Sequence, residues 1–128
     1  MEDIFVGRLM SAPVETVRPN ATLGEAAAQL LEHNIGSVVV VDDDGHLEGI
    51  LTATDFVRLA AEDAVASDVR VEEYMSTDVV TTTANDPITS VADTMIDNRF
   101  HHVPVVDDEE GVVGIITTTD LTAYVSGR

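Results

Sequence analysis

The sequence predicts a mixed α/β (α+β) fold made of two tandem copies of a strand–helix–strand–strand–helix unit. Three observations predict it. An internal repeat holds one spacing of 65 residues without gaps. Each copy carries one amphipathic helical stripe followed by two β-branched runs. Acidic and glycine turn residues separate those runs.

The repeat is read directly. Met10-Ser11 recurs as Met75-Ser76, Val14 as Val79, Thr16 as Thr81 and Asn20 as Asn85. Val40-Val41-Asp42-Asp43 recurs as Val105-Val106-Asp107-Asp108. Gly49-Ile50-Leu51-Thr52-Ala53-Thr54-Asp55 falls on Gly114-Ile115-Ile116-Thr117-Thr118-Thr119-Asp120. The first copy covers residues 1–63, a linker 64–70, and the second copy 71–128.

In each copy a short extended stretch comes first. Thr22 and Glu25 then form a T-x-x-E capping box that opens a helix. Leu23, Ala26, Ala27, Leu30 and Leu31 put its apolar side chains on one face. In the second copy Asp86 is the expected cap and Pro87 the first helical residue, with Ile88, Val91, Ala92, Met95 and Ile96 as the stripe. The run Val38–Val41 reads as a strand buried on both faces, and a second strand is expected at about 47–51. Their counterparts are about 103–106 and 112–116. Thr54-Asp55 and Thr119-Asp120 open the last helix of each copy. A unit of ~60 residues buries too little surface to stand comfortably alone, so the two units should pack sheet against sheet.

Composition narrows the chemistry. The chain has 128 residues, 24 of them acidic and 6 basic, for a formal charge of −18. Every base is arginine, and cysteine is absent. Disulfides, thiolate zinc sites, iron–sulfur clusters and thiol nucleophiles are therefore excluded. So negative a surface repels nucleic acid and anionic lipid. The amino terminus does not read as a signal peptide, and no apolar run reaches the ~18 residues of a membrane helix. A cytoplasmic protein is expected. The acid excess is spread over both halves, which fits adaptation to concentrated salt better than a tail for a basic partner. No Walker loop, G-x-G-x-x-G fingerprint or nucleophile–base spacing is present, so no catalytic function is expected.

These residues resemble a known family. The unit ending in G-h-h-T-x-x-D, found twice in register with Met-Ser-x-x-Val ahead of each copy and His102-Val103-Pro104-Val105-Val106-Asp107 in the second, resembles the cystathionine β-synthase (CBS) domain. The tandem pair is similar to a Bateman module. The resemblance implies a non-catalytic, energy-sensing module with pseudo-twofold symmetry. It would bind adenosine-containing ligands (AMP, ADP, ATP or S-adenosylmethionine) in two clefts between the repeats and signal to a protein target or its own oligomer. The motif aspartate would hold the ribose hydroxyls. One implied cleft joins Ile50, Thr52 and Asp55 to Ser76, Thr77, Val79, Phe100, His101, His102, Val103 and Pro104. The other joins Ile115, Thr117 and Asp120 to Ser11, Ala12, Val14, Ile35, Gly36, Ser37 and Val38. His101-His102 stands where the first copy has Gly36-Ser37, so imidazole donors for phosphate are expected only with Asp55. The family also implies a homodimer through helices, for which Phe56, Val57, Leu59, Leu121, Tyr124 and Val125 are the candidate residues.

Competing readings stand beside these. Asp55 and Asp120 would also serve as helix caps, although Thr54 and Thr119 are available for that role. Adjacent histidines on a strand face opposite ways, so His101-His102 makes a poor metal pair. His33 and His46 read as helix-end and turn residues. Asp42–Asp44 and Asp107–Glu110 lack EF-hand spacing and read as solvated turns. Alternative functions are a protein-interaction module with vestigial clefts and an Mg²⁺-sensing module.

Overall fold

The protein is described by a computed structural model covering residues 3–62 and 67–127. In chain order the elements are α1 (Val6–Leu9), β1 (Thr16–Val17), α2 (Leu23–His33), β2 (Ser37–Val41), β3 (Leu47–Thr52) and α3 (Ala53–Ala61). A 3-10 turn at Val71–Glu73 precedes α4 (Ile88–Asn98), β4 (His102–Asp107), β5 (Gly111–Thr117) and α5 (Thr118–Val125). The four long strands lie within one residue of the β-branched runs, and β2 is buried along its whole length. The first strand of each copy is vestigial. It is two residues in β1 and a single parallel bridge, Thr82 to Val105, in the second copy. Of the expected linker, residues 64–66 lie outside the described residues.

The sheets are short antiparallel hairpins, β2–β3 with β1 added in parallel, and β4–β5. Both hairpins carry an irregularity at equivalent places, between Val40 and Val41 and between Val105 and Val106. Their registers set Ser37 opposite Thr52 and His102 opposite Thr117.

The compact units are staggered against the sequence copies. One unit is Glu15–Val79; the other combines residues 3–14 with 80–127. The opening segment of each copy therefore packs with the helix of the other copy. In the first unit, Leu23 N–H donates to the Val69 carbonyl at 2.8 Å, Gly24 N–H to Ser67 at 2.9 Å, and Val71 N–H to Ala21 at 2.7 Å. In the second, Ile88 N–H donates to Ile4 at 2.9 Å, Val6 N–H to Asp86 at 2.9 Å and Gly7 N–H to Ala84 at 2.9 Å. Otherwise unpaired donors at the starts of α2 and α4 are satisfied in this way. Val71 and Val6, repeat equivalents, are each fully buried in their unit's core. Burying such a side chain contributes ~1.5–3 kcal/mol, which fixes each segment to its helix.

Each core is small. Val17, Leu23, Ala26, Leu30, Val38, Val40, Leu51, Leu59 and Val71 form the first. Val6, Val91, Met95, Val103, Val105 and Ile116 form the second. The Thr22–Glu25 capping box is present at α2, and Asn34 ends that helix in the left-handed region at φ 52°.

Three expectations are corrected. The residue before α4 is Pro87, not Asp86, and it makes no side-chain cap. Asp86 instead accepts from Thr82 Oγ1 at 2.7 Å and Thr83 N–H at 2.9 Å, closing the preceding turn, and these bonds, the Thr83 N–H first, hold its carboxyl below the usual carboxylate pKa range. Leu31 and Ile96, equivalent ends of the two stripes, are exposed at 85% and 74%. At ~100° per residue the ninth stripe position has rotated about 80° from the first, past the core edge. Of the residues assigned to a dimer surface, Leu59 is buried, while Phe56 and Leu121 pack on the cores of their units. Only Val57, Tyr124 and Val125 remain exposed from that set. Among the described residues no helix is long and apolar enough to cross a membrane.

Candidate functional site

The repeated G-h-h-T-x-x-D motif straddles a strand end and a helix start in each unit. In Glu15–Val79 the edge of β3 is met by the Met75-Ser76 segment. Ile50 N–H donates to the Ser76 carbonyl at 3.0 Å, and Ser76 N–H returns to Ile50 at 3.0 Å. In the other unit Ser11 and Ile115 exchange the same pair at 2.8 and 3.0 Å. This contact explains why Met-Ser and the motif glycine occur together. A Cβ on Gly49 would lie 2.7 Å from Met75 Sδ and 2.8 Å from the Ser76 carbonyl oxygen. On Gly114 it would lie 2.8 Å from Met10 Sδ and 2.9 Å from the Ser11 carbonyl oxygen. The segment can lie on the strand only where no side chain intervenes.

Thr52 and Thr117, not Thr54 and Thr119, cap the following helices. Thr52 Oγ1 accepts from Asp55 N–H at 3.3 Å, while Asp55 Oδ2 accepts from Thr52 N–H at 2.8 Å and from its hydroxyl at 3.1 Å. Thr117 and Asp120 form the same box, with bonds of 3.2 and 2.9 Å. Thr54 and Thr119 point to solvent. The cap uses one carboxylate oxygen of each aspartate: Oδ2 serves the helix in both units and Oδ1 faces elsewhere. Asp55 Oδ1 accepts from Arg58 Nη1 at 3.1 Å. Asp120 Oδ1 accepts from Ser11 Oγ at 3.3 Å. A further backbone bond closes each set, Ala53 N–H to Gly36 at 2.9 Å and Thr118 N–H to His101 at 3.0 Å.

The candidate residues therefore gather as follows. Around Asp55, one unit collects Ile50, Thr52, Gly36, Ser37 and Ser76, with Thr77 and Val79 continuing from Ser76 and Ile35 and Val38 packed on that unit's core. Around Asp120, the other collects Ile115, Thr117, Ser11, His101 and His102, with Ala12 and Val14 continuing from Ser11. Phe100 belongs to this second unit, as do Val103 and Pro104, which are fully buried. Val38 and Val103 give their side chains to the cores, so any ligand contact they make is through backbone.

His102 sits beside Asp120, within its own unit. Burial, and secondarily the adjacent His101, holds its imidazole below the usual histidine range, against a smaller opposing pull from the Asp120 carboxylate. It is neutral near pH 7. The unfolded chain then binds the extra proton before the folded one does, so this group lowers stability as pH falls from about 6.5 through the depressed value. The folding stability of wild type minus that of His102→Gln should be level above pH 7 and fall progressively below 6.5. A difference independent of pH in urea titrations from pH 5 to 8 would refute it.

Arg58 is the neighbour of Asp55 that sequence reasoning passed over. Its spacing of three from Asp55 on a helix was the available signal. In the 42–46 turn a carboxylate oxygen of Asp42, one of Asp44 and a ring nitrogen of His46 lie within 4.8 Å of one another. Asp42 Oδ1 accepts from Asp44 and His46 N–H groups, both at 2.9 Å, and these bonds satisfy the turn's own backbone.

The chain resembles several known proteins over nearly its whole length. It is 34% identical to the CBS domain pair of protein MJ0100, solved in complex with 5′-methylthioadenosine and S-adenosyl-L-methionine, with a TM-score of 0.90 and 98% of each chain covered. An uncharacterized conserved protein of Pyrococcus horikoshii matches at TM-score 0.88 and 29% identity, over 100% of this chain and 96% of that one. An uncharacterized 17.7 kDa protein of Acidianus ambivalens is 36% identical over 91% of this chain and 70% of its own length. An L-aspartate semialdehyde sulfurtransferase of Methanocaldococcus jannaschii is 35% identical over 97% of this chain, but only 24% of that longer protein is covered. The CBS domain family pattern matches residues 6–62 and again 71–127. With both matches set on the two repeated motif sites, the chain belongs to the CBS domain family and carries its domain twice.

Proposed function

We propose that this chain is a non-catalytic regulatory module that binds adenosine-containing ligands at the Asp55 and Asp120 sets and signals through its own oligomer or a protein target. One observation carries the reading. In both units a half-buried aspartate spends one carboxylate oxygen on the helix cap and turns the other outward, where a vicinal diol can donate to it. The ligands of the MJ0100 domain pair are adenosine compounds, which supports the same class here. Calorimetry in molar KCl with 5′-methylthioadenosine, S-adenosylmethionine, AMP and ATP tests it. Saturable heat with at least one of them is the expected result. None with all four would leave a protein-interaction module with vestigial sites.

We also read the chain as a salt-adapted cytoplasmic homodimer. At −18 the folded state repels itself, and the Debye length shrinks from ~10 Å at 0.1 M to ~3 Å at 1 M salt. Exposed Leu31 and Val57 on α2 and α3, and Ile96 and Val125 on α4 and α5, supply apolar surface for an isologous contact. The melting temperature should climb steeply from dilute buffer to molar KCl, with a dimer in sedimentation at the high end. A flat melting profile sinks the salt adaptation, and a monomer at tens of micromolar sinks the dimer.

A further inference from the structure

The two sets are built alike except beside the outward carboxylate oxygen. At Asp55 that oxygen meets a guanidinium, Arg58, 3.1 Å away on the same face of α3. The repeat-equivalent position on α5 is Ala123. An open hollow on α5 is lined by Thr118, Thr119, Thr122, Ala123 and Ser126, and Asp120 Oδ1 is met by the neutral Ser11 hydroxyl.

We propose that Arg58 makes the Asp55 set selective for phosphorylated adenosine ligands, while the Asp120 set takes adenosine ligands without a phosphate. This rests on the adenosine-binding reading above. The chain has no lysine, and its surface repels anions, so a phosphate needs a local cation. Arg58 is 63% exposed in its side chain, against 14% for Asp55, so its other donors are open to solvent. An exposed pair of this kind is weak enough to exchange partners. A ribose diol arriving at Asp55 Oδ1 displaces the guanidinium. The 5′-phosphate, one furanose edge and a methylene away, offers it a replacement with the paired oxygens that a guanidinium fork matches. An uncharged nucleoside displaces Arg58 without returning a partner. At Asp120 nothing is displaced but a serine hydroxyl, and the neighbouring His102 is uncharged near neutral pH, so a nucleoside portion suffices.

The test isolates each set and compares AMP with adenosine by calorimetry at one fixed KCl concentration. In the Asp120→Asn background, Arg58→Ala should weaken AMP roughly tenfold or more, while adenosine holds or tightens, since its competitor for Asp55 is gone. Arg58→Lys should restore part of the AMP affinity. In the Asp55→Asn background, Ala123→Arg has a hollow to occupy and should shift the Asp120 set towards AMP. A merely structural Arg58 would move both ligands together. Parallel losses, or no change in the AMP-to-adenosine ratio, overturn this proposal and leave adenosine binding standing. Absence of binding by both AMP and adenosine in the wild type overturns this proposal, and the four-ligand calorimetry above decides the adenosine reading separately.

Discussion

Asp55→Asn and Asp120→Asn will each cost the affected set roughly 10- to 100-fold in adenosine-ligand affinity, with the fold retained. A hydrogen bond to a charged acceptor contributes ~1.5–3 kcal/mol, and ~1.4 kcal/mol is a factor of ten. The geometry dictates asparagine rather than alanine. Oδ2 of each aspartate closes a capping box with Thr52 or Thr117, and a cap of this type stabilises a helix by ~1 kcal/mol. Asparagine retains one carbonyl oxygen for the Thr52 or Thr117 N–H. It replaces the outward Oδ1 with an NH₂ group, which donates and cannot accept from a ribose hydroxyl. The exposed Arg58 pair is lost in Asp55→Asn, at a cost within ~1 kcal/mol. Calorimetry beside a ligand-free melting curve separates the two roles. Unchanged affinity in both variants, with a lowered melting point, would reduce these residues to helix caps.

The helices and strands were legible because their signals are local. A 3.6-residue stripe and a β-branched run each report on their own neighbourhood, and all four long strands fall within a residue of where they were expected. The cap at Thr52 was equally local: Thr52 and Asp55 have the same spacing as the recognised Thr22–Glu25 box. It was missed because the threonine adjoining the aspartate drew the assignment. The stagger of the units was legible only through family resemblance. Whether Val71 covers α2 or α4 depends on contacts across about fifty residues, and two equivalent helices offer no local preference between them. The placement of His102 beside Asp120 has the same origin. It follows from the β4–β5 register, which sets His102 against Thr117. Arg58 lay in plain view three residues from Asp55, but a surface pair acquires meaning only once the outward oxygen of that aspartate is known.

Gly49→Ala and Gly114→Ala should be among the most destabilising single substitutions in the chain, each by ~1–3 kcal/mol, the range for forcing an added methyl into a filled space. At Gly49 the new Cβ meets Met75 Sδ, Met75 Cγ and the Ser76 carbonyl oxygen, all within 2.9 Å. The thioether is flexible and can swing aside. The carbonyl cannot, because Ser76 is held to Ile50 by two backbone hydrogen bonds of 3.0 Å. Relief requires the Met75-Ser76 segment to lift from β3, which breaks both bonds and moves Ser76 away from Thr52 and Asp55. Stability and ligand affinity at that set should therefore fall together. Adding Met75→Ala separates the two contacts. It removes the sulfur clash but leaves the carbonyl, so the double variant Gly49→Ala/Met75→Ala should recover only part of the stability lost relative to Met75→Ala alone. Full recovery in urea melts would place the whole constraint on the methionine. No loss in either glycine variant would show that the Met-Ser segment does not lie against the strand.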